Sequence, residues 1–142
     1  MDTVFAILHV VSAVFIVGPM AILPMTAMRA VRAGNAAQVD VLAKSTNFMS
    51  LLSLVVVFFG FGLLGVTGAQ YGTTILTPWV LWSIILYLIA LVVNLFLVVP
   101  TMRRAADAIR GDTVTAYPAI AAGSGVASLL LVAVVVLMVW KP

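Results

Sequence analysis

Four long apolar runs, separated by short stretches that are basic, polar or glycine-rich, organise the chain. They cover about 4–28, 47–66, 78–99 and 117–140. Each reaches the ~20 residues needed to cross ~30 Å of hydrocarbon at about 1.5 Å per residue, and this predicts transmembrane helices. None contains Asp, Glu, Lys or Arg. No charge falls between Lys44 and Arg103, a run too long for one span. The turn inside it is expected at Gly68-Ala69-Gln70-Tyr71-Gly72-Thr73-Thr74, with Pro78 opening the next helix.

Composition agrees with this pattern. Of 142 residues, 65% are hydrophobic and 8% charged, whereas a soluble domain carries about 25% charged residues. Lipid must therefore solvate most of the surface. The fold class expected is all-α: a polytopic four-helix membrane bundle forming one domain over 1–142, with a further reading as two tandem hairpins. The N-terminal run follows Asp2 and has no Lys or Arg before Arg29, so it is expected to stay as a span rather than act as a cleaved signal.

The placement of charge sets the expected orientation. Arg29, Arg32 and Lys44 lie in the first connection, and Arg103, Arg104 and Arg110 in the third. The second connection carries no charge, and Lys141 stands alone near the C-terminus. By the positive-inside rule the two basic connections face the cytoplasm, and both termini and the 68–77 loop face outward. Trp79, Trp82, Tyr71 and Trp140 then form one interfacial aromatic belt, and Tyr117 marks the other. The net charge of +3 is thus a feature of topology and gives no reason to expect a nucleic-acid partner.

The basic connections read as helical extensions. The stretch after Pro24 has good helix composition and closes at Gly34, with Asn35 placed to cap the next helix and Asp40 and Lys44 spaced i, i+4 along it. The stretch after Pro100 repeats the pattern, closing at Gly111, with Asp112 or Thr113 as the cap. Proline, basic helical turn and glycine thus recur in the same order, the basis for the tandem-hairpin reading.

Candidate chemistry is sparse. Gly60-Phe61-Gly62-Leu63-Leu64-Gly65 matches a dinucleotide fingerprint by letter only. It sits inside a span and lacks the preceding strand and the acid about 20 residues on, so helix packing or a flexible helix end is the expected role. His9, the single histidine, could ligate haem or carry a proton, or could rest as a neutral imidazole on a carbonyl, Ser12 or water. Pro19 and Pro24 are expected to kink the first span. Ala119, Gly123 and Ala127, at i, i+4 and i+8, form a small-residue stripe for close helix packing. Asn94 and Asn47 are the further packing candidates, with Ser50 and Ser53 on the face of Asn47. Arg29, Arg32, Arg103, Arg104 and Arg110 are candidates for anionic lipid head groups. Cysteine is absent, which excludes disulfides, thiolate metal sites and iron–sulfur clusters. The four acids lie outside the spans, and no catalytic set or metal-ligand spacing is present in the sequence.

The opening Leu8-His9-Val10-Val11-Ser12-Ala13-Val14-Phe15-Ile16-Val17-Gly18-Pro19, followed by Pro24 and the Arg29/Arg32 turn, resembles a family of small four-helix bacterial membrane proteins. Within it, the Ala/Val-rich chain looks like the actinobacterial accessory subunit of the cytochrome bc–cytochrome c oxidase supercomplex. The resemblance covers nearly the whole chain in length and topology. It implies a non-catalytic accessory or assembly subunit in a bacterial plasma membrane that binds no cofactor itself, with lipids and oxidase or cytochrome bc subunits as partners. The alternative is a small oligomeric transporter or channel, with a wet path lined by His9, Asn47, Asn94 and the serines of the second span. Polar residues gathered on one shared face favour the transporter; polar residues divided among separate helix contacts favour the accessory subunit.

Overall fold

The computed structural model describes residues 2–111 and 118–141, and side chains over 3–111 and 120–141. Four long helices form an up-and-down bundle. Helix 1 joins α-helical Asp2–Ser12, a π-helical turn Ala13–Val17 and α-helical Gly18–Arg32. Helix 2 is Ala36–Tyr71. Helix 3 joins Pro78–Val92, a second π-helical turn Val93–Val98, and Val99–Arg110. Helix 4 is Pro118–Trp140. All four are long and apolar enough to cross a membrane.

Each of the first three helices outruns its apolar stretch. Helix 2, at 36 residues, is roughly 54 Å long at 1.5 Å per residue, well beyond ~30 Å of hydrocarbon. The excess lies chiefly toward the end of the bundle that carries Arg29, Arg32, Lys44, Arg103, Arg104 and Arg110, the basic end. The opposite, neutral end carries the 72–77 loop and Lys141, whose ammonium lies 5.7 Å from the ring centre of Trp79 at the start of helix 3. The first and third connections are thus helical up to the turn, as their composition predicts.

The first turn is closed by local chemistry. Ala33 ends helix 1 and Gly34 follows in the left-handed region at φ +69°. The N–H of Asn35 reaches the carbonyl of Ala30 at 3.0 Å, and that of Gly34 reaches Val31 at 3.1 Å. These are the two bonds of a Schellman motif. The Asn35 side chain then accepts from the N–H of Gln38 at 3.1 Å and caps helix 2. Glycine is needed at position 34 because a β-carbon disfavours that backbone.

Three expectations need correction. Helix 2 continues to Tyr71, so the turn occupies 72–77 rather than starting at Gly68. Gly72 closes it at φ +62°, and Pro78 opens helix 3 as expected. The stretch from Gly68 to Tyr71 is helical, and the turn after it is closed by the N–H groups of Gly72 and Thr73, which both reach the Gly68 carbonyl. Gly111 is a C-cap at φ −87°, outside the left-handed region, so it does not repeat the role of Gly34. Asp40 turns away from Lys44 and pairs with Arg110 across the basic end. The caps expected at Asp112 or Thr113, and Tyr117 of the second belt, lie outside the described residues.

Helices 1 and 2 form one hairpin and helices 3 and 4 the other, each packed along its length. Between the hairpins the backbones approach closely in the basic half, where Gly18–Arg32 meets helix 4, and helix 2 meets Val99–Arg110. In the neutral half Asp2–Ser12 packs on helix 2 and makes no comparable contact with helices 3 or 4. The core of the basic half is built from Ala27, Ala30, Val39, Ala43, Val98, Met102, Ala105, Ala106 and Ile120. Alanine dominates it because only small side chains let several helix backbones come this close.

Candidate functional site

Four polar side-chain contacts each tie a particular seam between helices. Nearest the neutral end, the Nδ1–H of His9 donates to the carbonyl of Val56 at 2.8 Å. A carbonyl only accepts, so the proton sits on Nδ1. The ring rests against Gly60, where an added β-carbon would come within 2.9 Å of the imidazole Cε1. One helical turn away, Phe5 of helix 1 covers Gly62 in the same way, at 2.6 Å from a β-carbon position. Two glycines of the fingerprint-like run are therefore seats for rings of helix 1, while Gly65 has nothing near it. The histidine–glycine pairing was not evident from the sequence, although Phe5 and His9 at i, i+4 opposite Gly60 and Gly62 is the signal that carries it.

Deeper in, Tyr87 of helix 3 donates its hydroxyl to Ser53 of helix 2 at 2.5 Å, and Ser53 donates to the carbonyl of Ser50. Ser128 of helix 4 donates to the carbonyl of Ala21 at 3.3 Å. Asn94 of helix 3, fully buried, donates its side-chain amide to the carbonyl of Met20 at 3.3 Å. That last bond has a specific cause. The helical partner of the Met20 carbonyl would be the N–H of residue 24, and Pro24 has none. Asn94 supplies the donor that proline removes, which ties helix 3 to the break in helix 1.

The π-helical turns belong to the same logic. In helix 1 the wide turn ends at Val17, and the N–H of Gly18 reaches five residues back to Ala13, just ahead of Pro19. In helix 3 it ends at Val98, and Val99 reaches back to Asn94, just ahead of Pro100. A proline ring clashes with the carbonyl four residues earlier, and a widened turn moves that carbonyl aside. The hairpins share this device. It pairs Pro19 with Pro100, where the sequence pattern pairs Pro24 with Pro100.

The stripe on helix 4 faces helix 3. At Gly123 an added β-carbon would lie 2.8 Å from Val98 and 3.2 Å from Leu97. Ala127 is buried among Met20, Tyr87, Ala90, Leu91 and Leu131. The side chain of Ala119 lies outside the described residues. Ser50 and Ser53 are fully buried, while Asn47, placed with them by spacing, is half-buried and makes no side-chain hydrogen bond among the described residues.

At the basic end Arg29, Arg32, Arg103 and Arg104 are exposed. Arg110, also exposed, is ion-paired with Asp40 of helix 2 and lies 3.6 Å from Asp107 on its own helix. The hydrogen bond and charge of Asp40 push the Arg110 pKa up, so the guanidinium stays charged. Arg110 therefore bridges the hairpins while staying exposed. Among the described residues no group of three or more His, Asp or Glu side chains is placed to hold a metal ion.

No curated protein and no solved structure matches the chain. A family model does match, over residues 3–142, and its description is "Predicted integral membrane protein (DUF2269)". With an apolar four-helix bundle and a match across almost its entire length, the chain belongs to this family of integral membrane proteins.

Proposed function

We propose that this protein is a non-catalytic accessory subunit of a bacterial respiratory supercomplex of cytochrome bc and cytochrome c oxidase. It binds no cofactor of its own and sits in the plasma membrane with its basic end toward the cytoplasm. The observation that carries the reading is the uncovered neutral half of helix 1. In the most apolar stretch of that helix 6% of residues are buried within the bundle, against 39% for helix 3. Its free face is an open, largely apolar surface that presents Thr3, Ala6, Ile7, Val10 and Val11. A surface of this shape accepts a transmembrane helix of a larger complex.

The distribution of polar groups supports the same reading. His9, Ser53 with Tyr87, Asn94 and Ser128 tie four different pairs of helices. They are divided among these separate helix contacts. The resemblance of the opening run through Pro19 and the Arg29/Arg32 turn supplies the identity of the complex. The orientation rests on the positive-inside rule applied to the six cations of the basic end.

The test is affinity purification of the tagged chain from its native membrane in mild detergent, with mass spectrometry and a haem spectrum of the eluate. The expected result is co-purification of oxidase and cytochrome bc subunits in near-stoichiometric amounts. Ala6→Trp, which adds bulk to that face, is expected to abolish it while the bundle stays folded. Elution of the wild-type chain alone or as a homo-oligomer contradicts the proposal and directs attention to flux assays for a small transporter.

A further inference from the structure

Among the described residues seven polar side chains are buried in the interior: Thr46, Ser50, Ser53, Ser83, Asn94, Thr101 and Ser124. The hydroxyls of Thr46, Ser53, Ser83, Thr101 and Ser124 all donate to a carbonyl three or four residues back. Ser50 does not. Its Oγ is fully buried and has no partner, and the same holds for the Oδ1 atom of Asn94. The orientation of the Asn94 amide is fixed, because the Met20 carbonyl accepts only and must face the amide nitrogen. The layer therefore holds one unused hydroxyl donor on helix 2 and one unused carbonyl acceptor on helix 3.

The two lie about one helical turn apart in level along the bundle. In the antiparallel register set by the Ser53–Tyr87 bond, Ser50 falls level with Ala90. Asn94 is the next turn of helix 3 toward the basic end. Ala90 is fully buried and carries only a methyl group. A buried donor and a buried acceptor left unmade are both costly, and ordered water is the usual remedy in polar interior sites.

We propose that this layer binds one ordered water molecule, which accepts the Ser50 hydroxyl and donates to Asn94 Oδ1. The water completes the polar patch beside the proline break, where Asn94 already holds the Met20 carbonyl. The proposal is independent of the accessory-subunit reading, since it concerns how the bundle satisfies its own interior.

Radiolytic hydroxyl labelling of the intact chain in nanodiscs, in water enriched in heavy oxygen, tests it. Radicals formed from an ordered buried water oxidise the side chains beside it. Met20, whose carbonyl holds Asn94, is fully buried. Met102 is equally buried but belongs to the alanine-rich core, away from this layer, and serves as the control. The expected result is several-fold faster heavy-oxygen labelling of Met20 than of Met102. Ser50→Ala is expected to reduce the Met20 rate toward that of Met102 with the melting transition retained. Equal slow labelling of both methionines in the wild-type chain overturns the proposal and leaves a direct Ser50–Asn94 contact. A Met20 rate unchanged in a folded Ser50→Ala chain overturns it as well. The wild-type comparison stands even if the variant fails to fold.

Discussion

The basic and neutral halves of the bundle are built from the same helices and held together differently. In the basic half, Ala27, Ala30, Val39, Ala43, Met102, Ala105 and Ala106 are all at most 2% exposed. Most of them lie at or beyond the ends of the apolar runs, where helices 1 to 3 emerge toward water. The hydrophobic effect acts there, so burial drives the helices together. Val99–Arg110 shows the result: Met102, Ala105 and Ala106 are buried, while Arg103, Arg104 and Asp107 are exposed. In the neutral half the alternative to packing is lipid, which is as apolar as a leucine side chain, and that drive is missing. There the His9–Val56 bond and the ring-on-glycine seats tie helix 1 to helix 2, and the Ser53–Tyr87 bond crosses between the hairpins.

The largest expected effect falls in the basic half. Met102→Ala is expected to lower stability by about 2–5 kcal/mol through lost burial and the cavity left among tightly packed alanines. Leu129→Ala on helix 4, at a position 72% exposed, is expected to change stability by no more than about 0.5 kcal/mol. Denaturant unfolding of both variants in mixed micelles measures the difference, and equal effects break the comparison. Next in size is Gly123→Ala, which sets a β-carbon 2.8 Å from Val98 and is expected to cost about 1–3 kcal/mol by overpacking. Gly65→Ala, with open space around it, is expected to be neutral or slightly stabilising by the same assay, since alanine is the better helix former.

A smaller effect is expected from removing the histidine seam. His9→Phe loses one interhelical bond, worth about 0.6 kcal/mol on average in membrane proteins. It is expected to raise amide exchange over Asp2–Ser12 without altering exchange in Val99–Arg110, as hydrogen–deuterium exchange would record. The smallest effect belongs to the surface ion pair. Arg110→Gln is expected to shift the melting temperature slightly at low ionic strength and not at high salt, because both partners are solvated. A shift that persists at high salt would show Arg110 doing more than bridging Asp40.

The division between halves also explains what could be read in advance. The four spans were legible because a chain with no charge between Lys44 and Arg103 has one way to fold in a membrane. The Gly34–Asn35 turn was legible because αL backbone and helix capping have strong residue preferences. Helix 2 ends later than expected because Gly68 looks like a breaker, yet the left-handed residue that closes the helix is Gly72. The partners of His9 and Asn94 were not legible, since spans that are apolar nearly all round carry no stripe to show which face meets which helix. One clue did exist for Asn94: a proline inside a span leaves an orphan carbonyl, and a buried amide elsewhere is a natural donor. Gly123 lies against Val98 and Leu97, and Ala127 is buried among residues of helices 1, 3 and 4. Arg110 is drawn into an ion pair because Asp40 sits across the basic end from it, a proximity created by the fold and invisible along the chain.

The central claim, a firm basic joint and a looser neutral half, is tested most directly by paired spin-label distances. The chain contains no cysteine, so labels can be placed without removing any. One pair, Val41→Cys with Arg103→Cys, spans the hairpins at the basic end. The other, Val66→Cys with Val136→Cys, spans them at the neutral end, and all four positions are exposed. Double electron–electron resonance in nanodiscs is expected to give a narrow distribution for the first pair and a clearly broader one for the second. Equal widths, or a broader distribution at the basic end, would contradict the account.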